Sequence, residues 1–231
     1  MKSLVWALFI AFGLWNLPAT TQPRLNRQLK QELDNMEAAD QRYRVMLFDL
    51  QINHNPKPLV AALGVPEAKL SSYLVRQMQR IDSANLVRMR AILKQHGYPG
   101  KSLVGEPTNE TGWLIIQHST AIKQYLPIIK LAAEKGELPF FRYAMMLDRQ
   151  LMSEGKEQVY GTQALNYTVV SPATGKRESQ PLFVWPIQNP TQVNQRRKRA
   201  GFEKTVEEQA AGLGIKYRVV TLKEVARMPK K

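Results

Sequence analysis

Few side chains in this sequence can move a proton, and the ones that can do not fall where solvent exposure alone would put them. His118, one of three histidines, follows four large apolar residues in the stretch GWLIIQHS at 112–119. Asp40 interrupts the stripe Leu25, Leu29, Leu33, Met36, Tyr43, Leu47 and Leu50, at a position that the three-four alternation assigns to the core. Asp148 does the same on a face made of Phe141, Ala144, Met145, Leu151 and Met152. An isolated carboxylate taken out of water is costly unless paired or neutralised, so each of the two needs a partner.

Imidazole beside carboxylate is a common arrangement for general acid–base chemistry, the carboxylate fixing the imidazole tautomer. The expected catalytic pair is His118 with Asp148, His118 acting as base. Gln158, Tyr160 and Gln163 cluster beside a glycine in EQVYGTQ, and with Arg149 they are the expected substrate-holding groups. Asp40, Arg44 and Gln117 complete the lining, because several polar side chains aimed at one core are cheapest when they share a pocket. Bland readings stand beside these. A lone histidine is commonly a core residue hydrogen-bonded to a carboxylate or carbonyl, Asp40 and Arg44 have the i,i+4 spacing of an intrahelical ion pair, and Asp82 reads as an N-cap. One histidine and two aspartates could hold a divalent ion, yet no HExxH or other spaced ligand set is present, so no metal and no cofactor is expected.

The elements that must position these residues are mostly helical. One long amphipathic helix is expected from Leu25 to Leu50, then a linker at NHNPKP, then a helix opened by Pro66, with a second start at Asp82 or Ser83 running to Gly97. The stretch at 96–112, with four glycines and two prolines, reads as a loop. Three helical pieces follow, from Trp113 to about Gln124, from Pro127 to Glu134 and from Pro139 to Glu154. Beyond Gly155, QVYGTQALNYTVVS and QPLFVWPIQ alternate as two strands around the turn-rich PATGKRES. The expected fold class is mainly α, a helical single domain with an appended small β-hairpin. Its limits are 22–205, with the hairpin near 160–187 and a basic C-terminal extension at 206–231.

Composition narrows the classes. A chain of 231 residues, 44% hydrophobic and 23% charged, can bury a sizeable core, and the absence of cysteine rules out disulfides, thiolate nucleophiles and thiolate metal sites. Residues 1–21 carry Lys2, an apolar run from Leu4 to Trp15 and a Pro-Ala-Thr-Thr stretch, the pattern of a secretory signal. The run is shorter than the roughly 20 residues a spanning helix needs, so no stable membrane span is expected after cleavage, and the location is periplasmic or secreted. Formal net charge is +14, and residues 196–231 hold eleven Lys or Arg against four Glu. Anionic partners follow from such a balance. With a signal present and no recognition motif, the expected partner is a small-molecule or cell-envelope ligand and no nucleic acid.

Taken in order, DQRYR at 40–44, DSAN at 82–85, HGYPGKSLVGE at 96–106, GWLIIQHS, YLP at 125–127, LDR at 147–149, GKEQVYGTQ at 155–163 and WPIQNPTQVNQRRKRAGF at 185–202 resemble a widespread bacterial family, catalogued as a domain of unknown function, number sixty-six twenty-four. The likeness covers residues 25–205. In the family pattern the histidine, the Asp-Arg pair, the Gln-x-Tyr-Gly-Thr-Gln block and an Arg-Arg pair recur, here His118, Asp148 with Arg149, residues 158–163 and Arg196 with Arg197. The resemblance adds Arg197 to the expected substrate contacts and implies no established activity. This sequence has Tyr98 where the family often has Trp, and Ser119 where a small residue and then Asp is common. Three readings follow: an exported hydrolase or transferase using a His-Asp pair, a noncatalytic binding module for a cell-envelope polymer or small ligand, and a structural domain with a hydrogen-bonded polar core.

Overall fold

The computed structural model describes residues 25–170, 175 and 177–228. The expected signal at 1–21 lies outside the described residues, as do most of the hairpin turn and the last three residues. The protein is mainly α with a small antiparallel β-hairpin. No helix among the described residues is long and apolar enough to cross a membrane.

The first helix, α1 (Arg27–Asn53), starts where the Asn26 side chain accepts the Leu29 N–H, and it stops at His54 in a left-handed conformation. Its buried stripe is Leu29, Leu33, Met36 and Asp40. A short α2 (Lys57–Leu63) starts on the last two residues of the expected linker and leads into α3 (Glu67–His96). This third helix does not restart at Asp82. The Ser83 hydroxyl donates to the Gln79 carbonyl one turn back instead of capping, and Leu70, Leu74, Asn85, Met89, Ile92 and Leu93 keep one face buried across the whole length. Asp82 is therefore an interior helical residue, not an N-cap. Among the ties that hold α3 against α1, Asn85 Nδ2 donates to the Met36 carbonyl at 3.1 Å, and Arg88 forks onto both Glu32 carboxylate oxygens.

Residues 96–112, expected as loop, contain α4 (Lys101–Val104) and a 3₁₀ turn, Thr108–Glu110. Then come α5 (Thr111–Gln117), α6 (Ile122–Glu134) and α7 (Phe140–Ser153). The break between the first two falls at 118–121 rather than at Pro127, which α6 absorbs. Ser119 makes that break: its hydroxyl donates to the Ile116 carbonyl at 2.7 Å and accepts the Ala121 N–H at 3.1 Å, taking over helix-terminal groups from the backbone. The main core gathers Leu33, Met89 and Ile92 from the long helices with Trp113, Ile115, Ile116, Ile129 and Met146.

The hairpin is built in two steps. Strand β1 (Ala164–Leu165) pairs antiparallel with β4 (Phe183–Val184), and β2 (Thr168–Val170) with β3 (Arg177–Ser179). The chain closes with α8 (Val193–Arg199), α9 (Val206–Gly212) and α10 (Leu222–Arg227). Thr205 and Thr221 open the last two with reciprocal capping boxes. Residues 206–228, expected as a basic extension, contribute to buried apolar clusters with the hairpin: Val206, Ala210 and Ile215 meet Val184, Ile187 and Val193, while Val220 meets Phe183 and Trp185.

Leu33 is completely buried, whereas Val45 on the same helix is exposed. Leu33→Ala is expected to cost about 2–5 kcal/mol of unfolding free energy and Val45→Ala under about 0.5 kcal/mol, read by urea denaturation.

Candidate functional site

The helices bring His118 to Asp40. The carboxylate sits on the buried stripe of α1 and is 1% exposed, and the imidazole, 19% exposed, stands at the C-terminus of α5, where Ser119 ends the helix. Nδ1 lies 3.0 Å from one carboxylate oxygen and 3.1 Å from the other. Gln41 Nε2 donates to the same carboxylate at 2.7 Å. Arg44 extends the group. Its guanidinium donates to the Asp40 backbone carbonyl at 3.0 Å, passes 3.8 Å from the Asp40 carboxylate, and meets both oxygens of Asp82 at 2.8 Å. The expected ion pair of Asp40 with Arg44 is thus the weaker contact, and the residue that spacing along α1 could not reveal is Asp82, a helix away on α3.

A carboxylate accepting from Nδ1–H leaves Nε2 with the lone pair, which is the tautomer a general base needs. A proton captured there is met by the negative charge of Asp40, as in hydrolytic triads. Asp40, Asp82 and His118 also offer one ligand atom each within 4.8 Å of one another, the make-up of a cation site. In this arrangement the Arg44 guanidinium, seated on Asp82, already supplies positive charge to that group.

Asp148 is elsewhere engaged. It is fully buried on α7, and its two oxygens accept the backbone N–H groups of Val159, Tyr160 and Thr162 and the Thr162 hydroxyl, at 2.7–3.1 Å. Burial pushes its pKa up, opposed by these donors. The expected pairing of His118 with Asp148 is therefore corrected: four donors saturate Asp148, and Nδ1 of His118 takes Asp40. The face pattern of α7 placed Asp148 in the interior but carried nothing about which segment it meets there.

The other expected substrate contacts are drawn into the same clamp. Gln158, completely buried, accepts the Gln163 N–H at 2.8 Å and donates to the carbonyls of Gln163 and Trp185. Arg197, also buried, donates to the carbonyls of Lys204 and Tyr160 and to Gln209 Oε1, and its guanidinium covers the Phe202 ring at 4.5 Å. Arg196 adds the Val159 carbonyl at 2.9 Å. The Gln163 side-chain amide donates to the Thr162 hydroxyl at 3.0 Å, and burial raises the pKa of the half-buried Tyr160 phenol. Gly161 must be glycine: its φ is +70°, and a Cβ would stand 2.7 Å from Ile187 and 2.8 Å from Val206 side-chain atoms. Gln117 is half-buried one residue before His118, while Arg149 is exposed with no ion pair among the described residues. A cavity of about 320 Å³ opens beside Arg197, lined by Phe141, Phe202, Lys204 and Gln209 among others, and none of its lining residues belongs to the His118 group.

Asp148→Ala would remove a fully buried acceptor from four donors of a half-buried loop, and a lost buried acceptor costs about 1–3 kcal/mol per group with incomplete additivity. The expected loss is about 3 kcal/mol or more, seen as a large drop in Tm, and unchanged stability would contradict the clamp.

No curated protein and no solved structure matches this chain. A family model does, over residues 27–218, and its description is a family of unknown function, DUF6624. The matched span holds both the His118 group and the Asp148 clamp, and the chain belongs to that family.

Proposed function

We propose that this protein is an enzyme of hydrolase or transferase type, in which His118 moves the proton and Asp40 holds it. One observation carries the reading: a carboxylate 1% exposed places both oxygens within 3.0–3.1 Å of Nδ1 on a histidine that still reaches solvent. In this reading Nε2 removes a proton from water or a substrate hydroxyl. Asp40 fixes the tautomer and stabilises the imidazolium that forms. Ser119 is no nucleophile, since its hydroxyl is occupied in ending α5. Arg44 and Asp82 are positioning residues, and Gln117, beside the histidine, meets the substrate. An exported setting fits the leader-like N-terminus and would make small molecules or cell-envelope fragments the substrates.

The test is a screen of ester, phosphodiester and amide probes against the wild type, His118→Ala and Asp40→Asn, with thermal melts as folding controls. Positioned acid–base groups contribute about 10²–10⁴-fold. The expected result is turnover of one probe class that falls by that factor in His118→Ala and substantially in Asp40→Asn, with both variants folded. Turnover that survives His118→Ala would overturn the reading.

A further inference from the structure

The sequence concentrates basic residues at 196–231, opening on RRKR at 196–199, but the fold spends half of that opening run on itself: Arg196 and Arg197 donate to backbone carbonyls. The cations left over are organised elsewhere. On α3, Lys69, Arg76, Arg80, Arg90 and Lys94 are all exposed. At 100° per residue they fall within an arc of about 80°, and at 1.5 Å per residue they span about 37 Å. The same arc holds Ser72, Ser83 and Val87, also exposed, and no acidic residue. None of the five cations pairs with a carboxylate among the described residues, whereas Arg88, off the arc, pairs with Glu32. The two acids of α3 are also off the arc: Glu67 is at its first turn and Asp82 is bound by Arg44.

Solvated helix faces ordinarily mix the two signs in i,i+4 pairs. This one does not, and a row of like charges along a straight helix repels itself until an anion of matching length lies on it. Serine beside arginine is well suited to phosphate oxygens. The apolar content of the arc is a single valine, with none of the aromatic or leucine side chains that seat a helix in a bilayer surface. No aromatic ring lies on it to stack a nucleobase either. The nearest, Tyr73, is half-buried and engaged edge-on with Tyr43.

We propose that the outer face of α3 is a docking ridge for a linear, base-free phosphodiester polymer, the chemistry of the polyol-phosphate chains of cell envelopes. The ridge is independent of the acid–base reading of His118.

The probe is lipid-free poly(glycerol phosphate), titrated into the full chain at several salt concentrations. Five phosphate contacts on a flexible chain give a slope of log affinity against log salt of about −3.5, which is about a hundredfold weakening from 50 to 200 mM. The triple variant Arg76→Gln, Arg80→Gln, Arg90→Gln touches no side-chain hydrogen bond or ion pair found among the described residues, so its melt should match the wild type. Its slope should fall to about −1.4. No binding at 50 mM salt, or an unchanged slope in a folded triple variant, overturns the proposal. So does tighter binding to a single-stranded oligonucleotide with the same number of phosphates, which would make the occupant a nucleic acid.

Discussion

Two carboxylates at core-facing helical positions govern how this chain is arranged. A carboxylate removed from water must be met by donors or by positive charge, or the surrounding helices cannot close over it. Asp148 is met by three loop N–H groups and a hydroxyl, and so it pins residues 158–163 onto α7. From the other side, Arg196 and Arg197 collect carbonyls of the same loop, and the Gln158 side chain closes it across Gln163. The hairpin and the C-terminal helices are thereby tied to the helical core through a segment with little regular structure of its own. Loops can be buried only when their backbone groups are accounted for, and these side chains do that accounting.

Asp40 meets the same demand differently. Its partners are an imidazole, a glutamine amide and, at longer range, a guanidinium that is shared with Asp82. Where Asp148 is saturated mainly by groups fixed in the backbone, Asp40 is satisfied by side chains, one of which is an imidazole that can donate or accept at either ring nitrogen and retains contact with solvent. That contrast separates the two polar clusters by what they can do. The carboxylate of Asp148 is locked among amide N–H groups and a hydroxyl, whereas that of Asp40 holds a histidine.

Much of this was legible along the chain. The helical fold, the hairpin and the burial of Asp40 and Asp148 follow from three-four spacing and strand alternation, because periodicity reports which face of an element turns inward. The partner of a buried group is a different kind of information. His118 and Asp40 are 78 residues apart and Arg44 and Asp82 are 38 apart, and no local pattern encodes which helix crosses which. Asp82 was hidden for the further reason that an Asp-Ser pair resembles a helix start, and only the unbroken buried face on both sides of it shows that the helix continues. The resemblance to a family gathers the motif residues into one set, and nothing in it divides them into the loop clamp around Asp148 and the pair of His118 with Asp40.

The division between Asp40 and Asp148 is the central claim, and the imidazole of His118 reports on it directly. Long-range ¹H–¹⁵N spectra assign the protonated ring nitrogen in the wild type, in Asp40→Asn and in a folded Asp148→Asn. In its neutral form His118 should carry its proton on Nδ1 in the wild type and in Asp148→Asn, with the tautomer balance changed only in Asp40→Asn. A His118 protonated on Nε2 in the wild type, or one that responds to Asp148 and ignores Asp40, would contradict it.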